Sequence, residues 1–127
     1  MRNIKDEVVA KLDERFGEDH VKDEYPLDWS TLPVILITEE QNRVYEYCEK
    51  GEKLVESKAQ VRFRIDIYDK KSTSVSAANV DDVLGLPGLG LKRTACNDVH
   101  DPGGYKHKLM LFEGIIDMEN DLVEWIR

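Results

Sequence analysis

Between Lys58 and Lys71 apolar and polar positions alternate strictly. Ala59, Val61, Phe63, Ile65 and Ile67 share one parity, and Gln60, Arg62, Arg64, Asp66 and Tyr68 share the other. Successive strand side chains point to opposite faces, so the pattern predicts a long central strand with one buried and one wet face. The buried face needs a cover, and amphipathic segments lie on either side of it. An α+β layer is therefore the economical architecture. Ile4, Val8, Val9, Leu12 and Phe16 recur at helical spacing, with Gly17 following as a C-cap. Ala77, Val80, Val83 and Leu84 predict a second, short helix with Asp81 and Asp82 exposed. Ser72 to Ser76 supply its N-cap hydroxyls, and Gly85 and Pro87 end it early.

The remaining segments predict strands and turns. Val34 to Thr38 is apolar on both parities, as an inner strand is. Asn42 to Tyr47 reads as another strand, and Glu49 to Lys53 as a break, so that Tyr45 to Tyr68 forms a long hairpin with a polar, mobile tip. The acidic segment Glu18 to Asp28 has no period, although Val21 and Tyr25 suit a short edge piece. Gly88 to Gly90 reads as flexible, Leu91 to Cys96 alternates, and Asn97 to Gly104 is a polar turn. Tyr105 to Ile116 is a second long strand. Its apolar residues fall on both parities, Met110, Phe112 and Ile116 on one and Leu109, Leu111 and Ile115 on the other. That predicts helices on one side and a partner subunit on the other. Leu122 to Arg127 is a last edge strand or a docking tail.

Composition narrows the function. A length of 127 residues suits one domain, 1–127, with a modest core. The formal charge of −8 argues against a protein that binds duplexes by neutralising phosphates, so no direct sequence-specific nucleic acid binding is expected. Cys48 and Cys96 are too few for a disulfide framework and fit synthesis in a reducing compartment. The N-terminus lacks an apolar signal region, and the longest apolar run, Val34 to Ile37, is too short to span a bilayer. A soluble protein without a membrane partner is expected.

No catalytic constellation emerges. The Gly85-to-Thr94 segment looks superficially like a phosphate loop, but it leaves a helix instead of opening one. His20, His100 and His107, with Asp98 and Asp101, lack metal-ligand spacing and read as surface histidines in turns. Cys96 reads as a small half-buried strand residue. The carboxylate pairs Asp81-Asp82 and Glu39-Glu40 read as solvated faces, and Tyr45, Tyr47, Phe63 and Tyr68 as an aromatic cluster of sheet packing. The expectation is a protein without cofactor, metal or enzymatic activity that works through its surfaces.

The order of these pieces resembles a family. Leu32-Pro33-Val-Ile-Leu-Ile37 and Val61-Arg-Phe-Arg-Ile-Asp-Ile-Tyr68-Asp-Lys-Lys-Ser72 are followed by Gly90-Leu-Lys-Arg93-Thr94, Asp101-Pro-Gly-Gly104, Tyr105-Lys-His-Lys108 and Phe112-Glu-Gly-Ile-Ile116. Over nearly the whole chain this is similar to the small tail-completion proteins, or tail terminators, of siphophages and prophages of Gram-positive bacteria. The sequence departs from that pattern in the early interruption of the second helix and in Lys106, where arginine is common. The resemblance implies an α+β fold, with a mostly antiparallel sheet of four to five strands and two helices packed on one face. It implies a homo-oligomeric ring, typically a hexamer, that caps the tail tube and offers a surface for joining the head. The implied partners are further copies of the chain, the tail tube protein and the neck or head-completion protein, at the tail-neck junction of a virion assembled in the host cytoplasm. On this reading the hairpin tip, with Glu49, Lys50, Glu52 and Lys53, and the loop carrying Asp98, His100 and Asp101 contact tube or neck. Arg62, Arg64 and Arg93 are candidates for pairs between subunits. The competing expectations are a neck or head-completion subunit and a small non-catalytic binding domain.

Overall fold

The alternating stretch belongs to β3 (Lys53–Asp69), and all five residues of its apolar parity, Ala59 to Ile67, are fully buried. In the computed structural model, which describes residues 3–25, 29–118 and 122–124, β3 lies in the middle of the sheet. Around it in chain order are α1 (Ile4–Phe16), β1 (Val21–Lys22), β2 (Val34–Lys50), α2 (Ser74–Leu84), β4 (Lys92–Val99), β5 (Lys106–Asp117) and β6 (Leu122–Glu124). The sheet order is β1-β2-β3-β5-β4, with β6 paired to the end of β5 beyond β4. Only β1 against β2 is parallel among these pairings. The fold is α+β, mostly antiparallel, with both helices on one face.

The helices cover that face with the residues that the periodicity singles out. Ile4, Val8 and Leu12 of α1 and Ala77, Val80 and Leu84 of α2 join Ile35, Ile37, Phe63, Ile65, Met110 and Phe112 in one core. Phe63 and Phe112 are register partners across β3 and β5, so the two largest rings stand at the centre of this layer. The Asn3 side chain accepts from the Asp6 N–H and caps α1, while Gly17, at φ 95°, ends it. No helix among the described residues is long and apolar enough to cross a membrane.

The expected strands at Val34 to Thr38 and Asn42 to Tyr47 are one 17-residue strand, β2. A bulge between Glu39 and Gln41 displaces its pairing with β3 by one residue, and two further shifts on either side of Glu46 cancel each other. Val21 does lie in an edge strand, whereas Tyr25 lies outside it and is exposed; residues 26–28 fall outside the described residues. The expected last edge strand is present at Leu122–Glu124, and residues 125–127 again fall outside the description.

Gly88 to Gly90 is not a flexible span. It folds back on the C-terminus of α2, where the N–H groups of Leu89, Gly90 and Leu91 donate to the carbonyls of Val83, Gly85 and Leu84 at 2.8–2.9 Å. The approach is so close that a Cβ on Gly88 would collide with the Val83 carbonyl oxygen. The segment therefore satisfies the carbonyl end of a helix, which carries partial negative charge and is unsuited to phosphate.

Candidate functional site

The polar parity of β3 faces away from both helices and builds a charged strip. The bulge at Glu40 brings its carboxylate 3.1 Å from Arg62 Nε, and Glu113 of β5 approaches the same nitrogen at 3.5 Å; neither contact is aligned as a hydrogen bond. Beside it, Arg43 donates two hydrogen bonds to Gln60 Oε1. Next along β3, Arg64 donates to both oxygens of Asp66 at 2.9 and 3.2 Å. That hydrogen bond, outweighing the cost of desolvation, raises the Arg64 pKa above its ordinary value.

Asp66 is the buried centre of this strip, 3% exposed. Its Oδ1 also lies 2.7 Å from His107 Nε2, and because a carboxylate only accepts, the ring N–H is the donor. His107 is 9% exposed and stacks on Tyr68, its register partner, with ring centroids 4.1 Å apart. The expectation of a surface histidine in a turn is therefore wrong for His107. It is met by His100, which is exposed, while half-buried His20 donates from Nδ1 to the Pro33 carbonyl at 2.8 Å. Parity carried the missing signal, since His107 shares its face with Leu109 and Leu111.

The aromatic cluster also differs from the expected one. Tyr45 and Tyr47 are exposed and Phe63 sits in the helix-covered core, so only Tyr68 joins the outer group. Its partners are Trp29, edge-on at 5.1 Å, and Tyr25 at 6.4 Å, with Tyr105 against the Trp29 ring at 5.0 Å. Together with Val34, Leu36 and Leu32 they close one end of the outer face. Burial, helped by the nearby Asp66 charge, pushes the Tyr68 hydroxyl up to about 12. Trp29 comes from a stretch without periodicity, so no sequence pattern announces it.

The hairpin projects from the opposite end of the sheet. The last pair between β3 and β5 is Lys58 with Asp117, and from Tyr47 to Glu56 the two strands of the hairpin pair only with each other. Buried Ser57 marks the base, with its hydroxyl donating to the Glu46 carbonyl at 3.0 Å. The arm extends roughly 15 Å past that base, at the usual rise per strand residue. Glu49, Lys50, Glu52 and Lys53 are exposed at its tip. So are large apolar groups, Tyr47 at 59% and Leu54 at 68% on the arm and Tyr45 at 54% just below its base.

The structure does not bring the two expected contact regions together. The expected turn from Asn97 starts later, because Asn97, Asp98 and Val99 still pair with β5 as the end of β4; His100 and Asp101 follow in the connection to β5, at the far end of the sheet from the arm tip. Asp98 and His100 are exposed there and Asp101 is half-buried. Arg93 stands on the helix side, 3.2 Å from Asp81 of α2, so all three candidate arginines contact a carboxylate of their own chain. Asp81 is accordingly half-buried, unlike Asp82, and Cys96 is exposed where half-burial was expected. Among the described residues no group of three or more histidine, cysteine or acidic side chains is placed to hold a metal ion. The chain matches no known protein family and no characterised protein.

Proposed function

We propose that this chain is a tail-terminator-type structural subunit, one that self-associates into a ring on the end of a phage tail tube and presents a surface for joining the head. The observation that carries the reading is the arm. A two-stranded ribbon standing in water is marginal in stability, and this one exposes Tyr47 and Leu54 along it and Tyr45 just below its base. Those groups gain by burial against another subunit or the tube. The position of Asp98 at the end of β4 and of the connection that follows it, at the other end of the sheet, supports the same reading, because a joining protein needs two contact regions facing two neighbours. The sheet offers edges as well: β1 covers only Ile35 and Leu36 of β2, and β4, exposed along most of its length, borders the other side.

The test is electron microscopy of particles from the parent phage or induced prophage with this gene deleted. Over-long or unattached tails beside filled heads are expected. Joined virions of normal appearance would remove the proposal, and normal tails beside emptied heads would move the subunit to the head side of the neck.

A further inference from the structure

We infer that β4 of a second copy receives the arm, which lies along the outer edge of that strand and extends the sheet from one copy into the next. The inference rests on the ring reading above and names the surface that takes the arm. Among the described residues β4 pairs only with β5, so its other edge presents a row of unpaired N–H and C=O groups. From Ala95 to Val99 its register with β5 runs without a shift, and the stretch contains no proline. A straight edge of this kind is what an added strand requires.

The face beside that edge is unfinished. Leu109 and Leu111 of β5 point away from the helices, with Asn97 and Ala95 of β4 as their register partners, and Val99 lies opposite His107 on the same side. This is the second apolar parity of β5, for which the sequence predicts a partner subunit. Leu109 and Leu111 are half-buried, Val99 is 38% exposed, and none of the three joins either apolar core. An arm laid along β4 brings Tyr47 and Leu54 beside this strip and takes both sets of groups out of water. It also gives the ribbon the third strand that a two-stranded hairpin lacks.

The chain's own arm cannot fill the place. It leaves the sheet beyond the pair of Lys58 with Asp117, and β5 separates its strands from β4. Charge favours a second copy. In a protein of net charge −8, Tyr47 to Glu56 carries three acids against two lysines, whereas Lys92 to Val99 carries two bases against one acid. Apposing these two segments therefore escapes the repulsion between copies. The other exposed edge, β2 beyond Leu36, is interrupted by register shifts and carries Glu39, Glu40 and Glu46, which repel the arm. Arm and β4 edge are different patches of one chain, so the contact is heterologous and runs head to tail around a ring.

The experiment is disulfide trapping between two single-cysteine chains, both carrying Cys48→Ser. One has Cys96→Ser and, in turn, Glu49→Cys, Lys53→Cys or Leu54→Cys on the arm; the other keeps the native, exposed Cys96 of β4 and bears a size tag. A disulfide forms only where the Cα atoms come within about 7 Å, so trapping reports the register as well as the contact. Each mixture is oxidised at high concentration and again on tail tubes. Heterodimers are expected in the mixture, and neither chain alone should form dimers. Leu54→Ser, read with the Lys53→Cys arm, and Val99→Ser should each lower the yield roughly three- to tenfold, as for partial loss of one aliphatic contact, while Val75→Ser, equally exposed on α2, should not. Tube binding without heterodimers at any arm position would overturn the inference and leave the terminator reading standing. Heterodimers in a chain that ignores tubes would keep the inference and remove that reading. Homodimers from either chain alone, or no trapping in either condition, would overturn the inference.

Discussion

Asp66 carries more of the outer face than any other residue, because it alone satisfies Arg64 and His107. The two partners differ in what they lose without it. Arg64 is 40% exposed and finds water, whereas the His107 ring is enclosed by Tyr68. Asp66→Ala therefore leaves a buried donor without an acceptor and is expected to destabilise the protein by about 3 kcal/mol, measured as a shift in urea unfolding at constant slope. Replacing both partners with apolar groups should behave differently, since a buried polar pair is often nearly neutral against well-packed hydrophobes. The double variant Asp66→Leu, His107→Phe is thus expected to recover most of the loss. If the single variant costs less than about 1 kcal/mol, Asp66 is solvated and its burial has no energetic consequence.

At the scale of elements, legibility follows which physical constraint dominates locally. The buried parity of β3 and the stripes of α1 and α2 are plain in the sequence because each faces a single apolar layer, and burial alone decides the residue type at Val61, Phe63, Val8 and Val80. β2 is hidden for two reasons. Its bulges break the parity near Glu39 and Val44, and beyond Glu46 it has no core to face, so its composition is set by solvent. The aromatic closure is hidden differently, because Trp29 reaches Tyr68 and Tyr105 only through tertiary folding. The expected contact residues at the arm tip are legible as a polar break, but their distance from Asp98 and the β4–β5 connection is fixed by strand register, which one-dimensional patterns do not contain. An arm outside the core should be removable. Replacing Tyr47 to Glu56 with an Asn-Gly turn is expected to keep the melting temperature within about 5 °C, a change of roughly 1 kcal/mol, while abolishing association with tail tubes in co-sedimentation. A collapse in melting temperature would show that the arm is part of the folding unit.

For the whole molecule the decisive quantity is the net charge of −8 against the disposition of its cations. Copies brought together in a ring repel one another unless cations of one face acids of the next. Arg62, Arg64 and Arg93 all contact carboxylates of their own chain, Arg64 through hydrogen bonds to buried Asp66, so pairs between subunits would have to compete with contacts already made. The remaining attraction comes from the exposed apolar groups of the arm and from the sheet edges, which salt does not screen. The proposed assembly should consequently strengthen with ionic strength. Moving from about 0.1 M to about 1 M sodium chloride shortens the screening length from roughly 10 Å to 3 Å and removes most of the repulsion. Sedimentation of the chain with tail tubes across that range is expected to show a rising bound fraction. A falling fraction would mean that ion pairs between subunits dominate, and would return the three arginines to the centre of the contact. Charge reversal separates the cases further: Arg93→Glu should leave a salt-strengthened assembly nearly unchanged, apart from the lost Asp81 contact, and should dissolve one held by pairs across the interface.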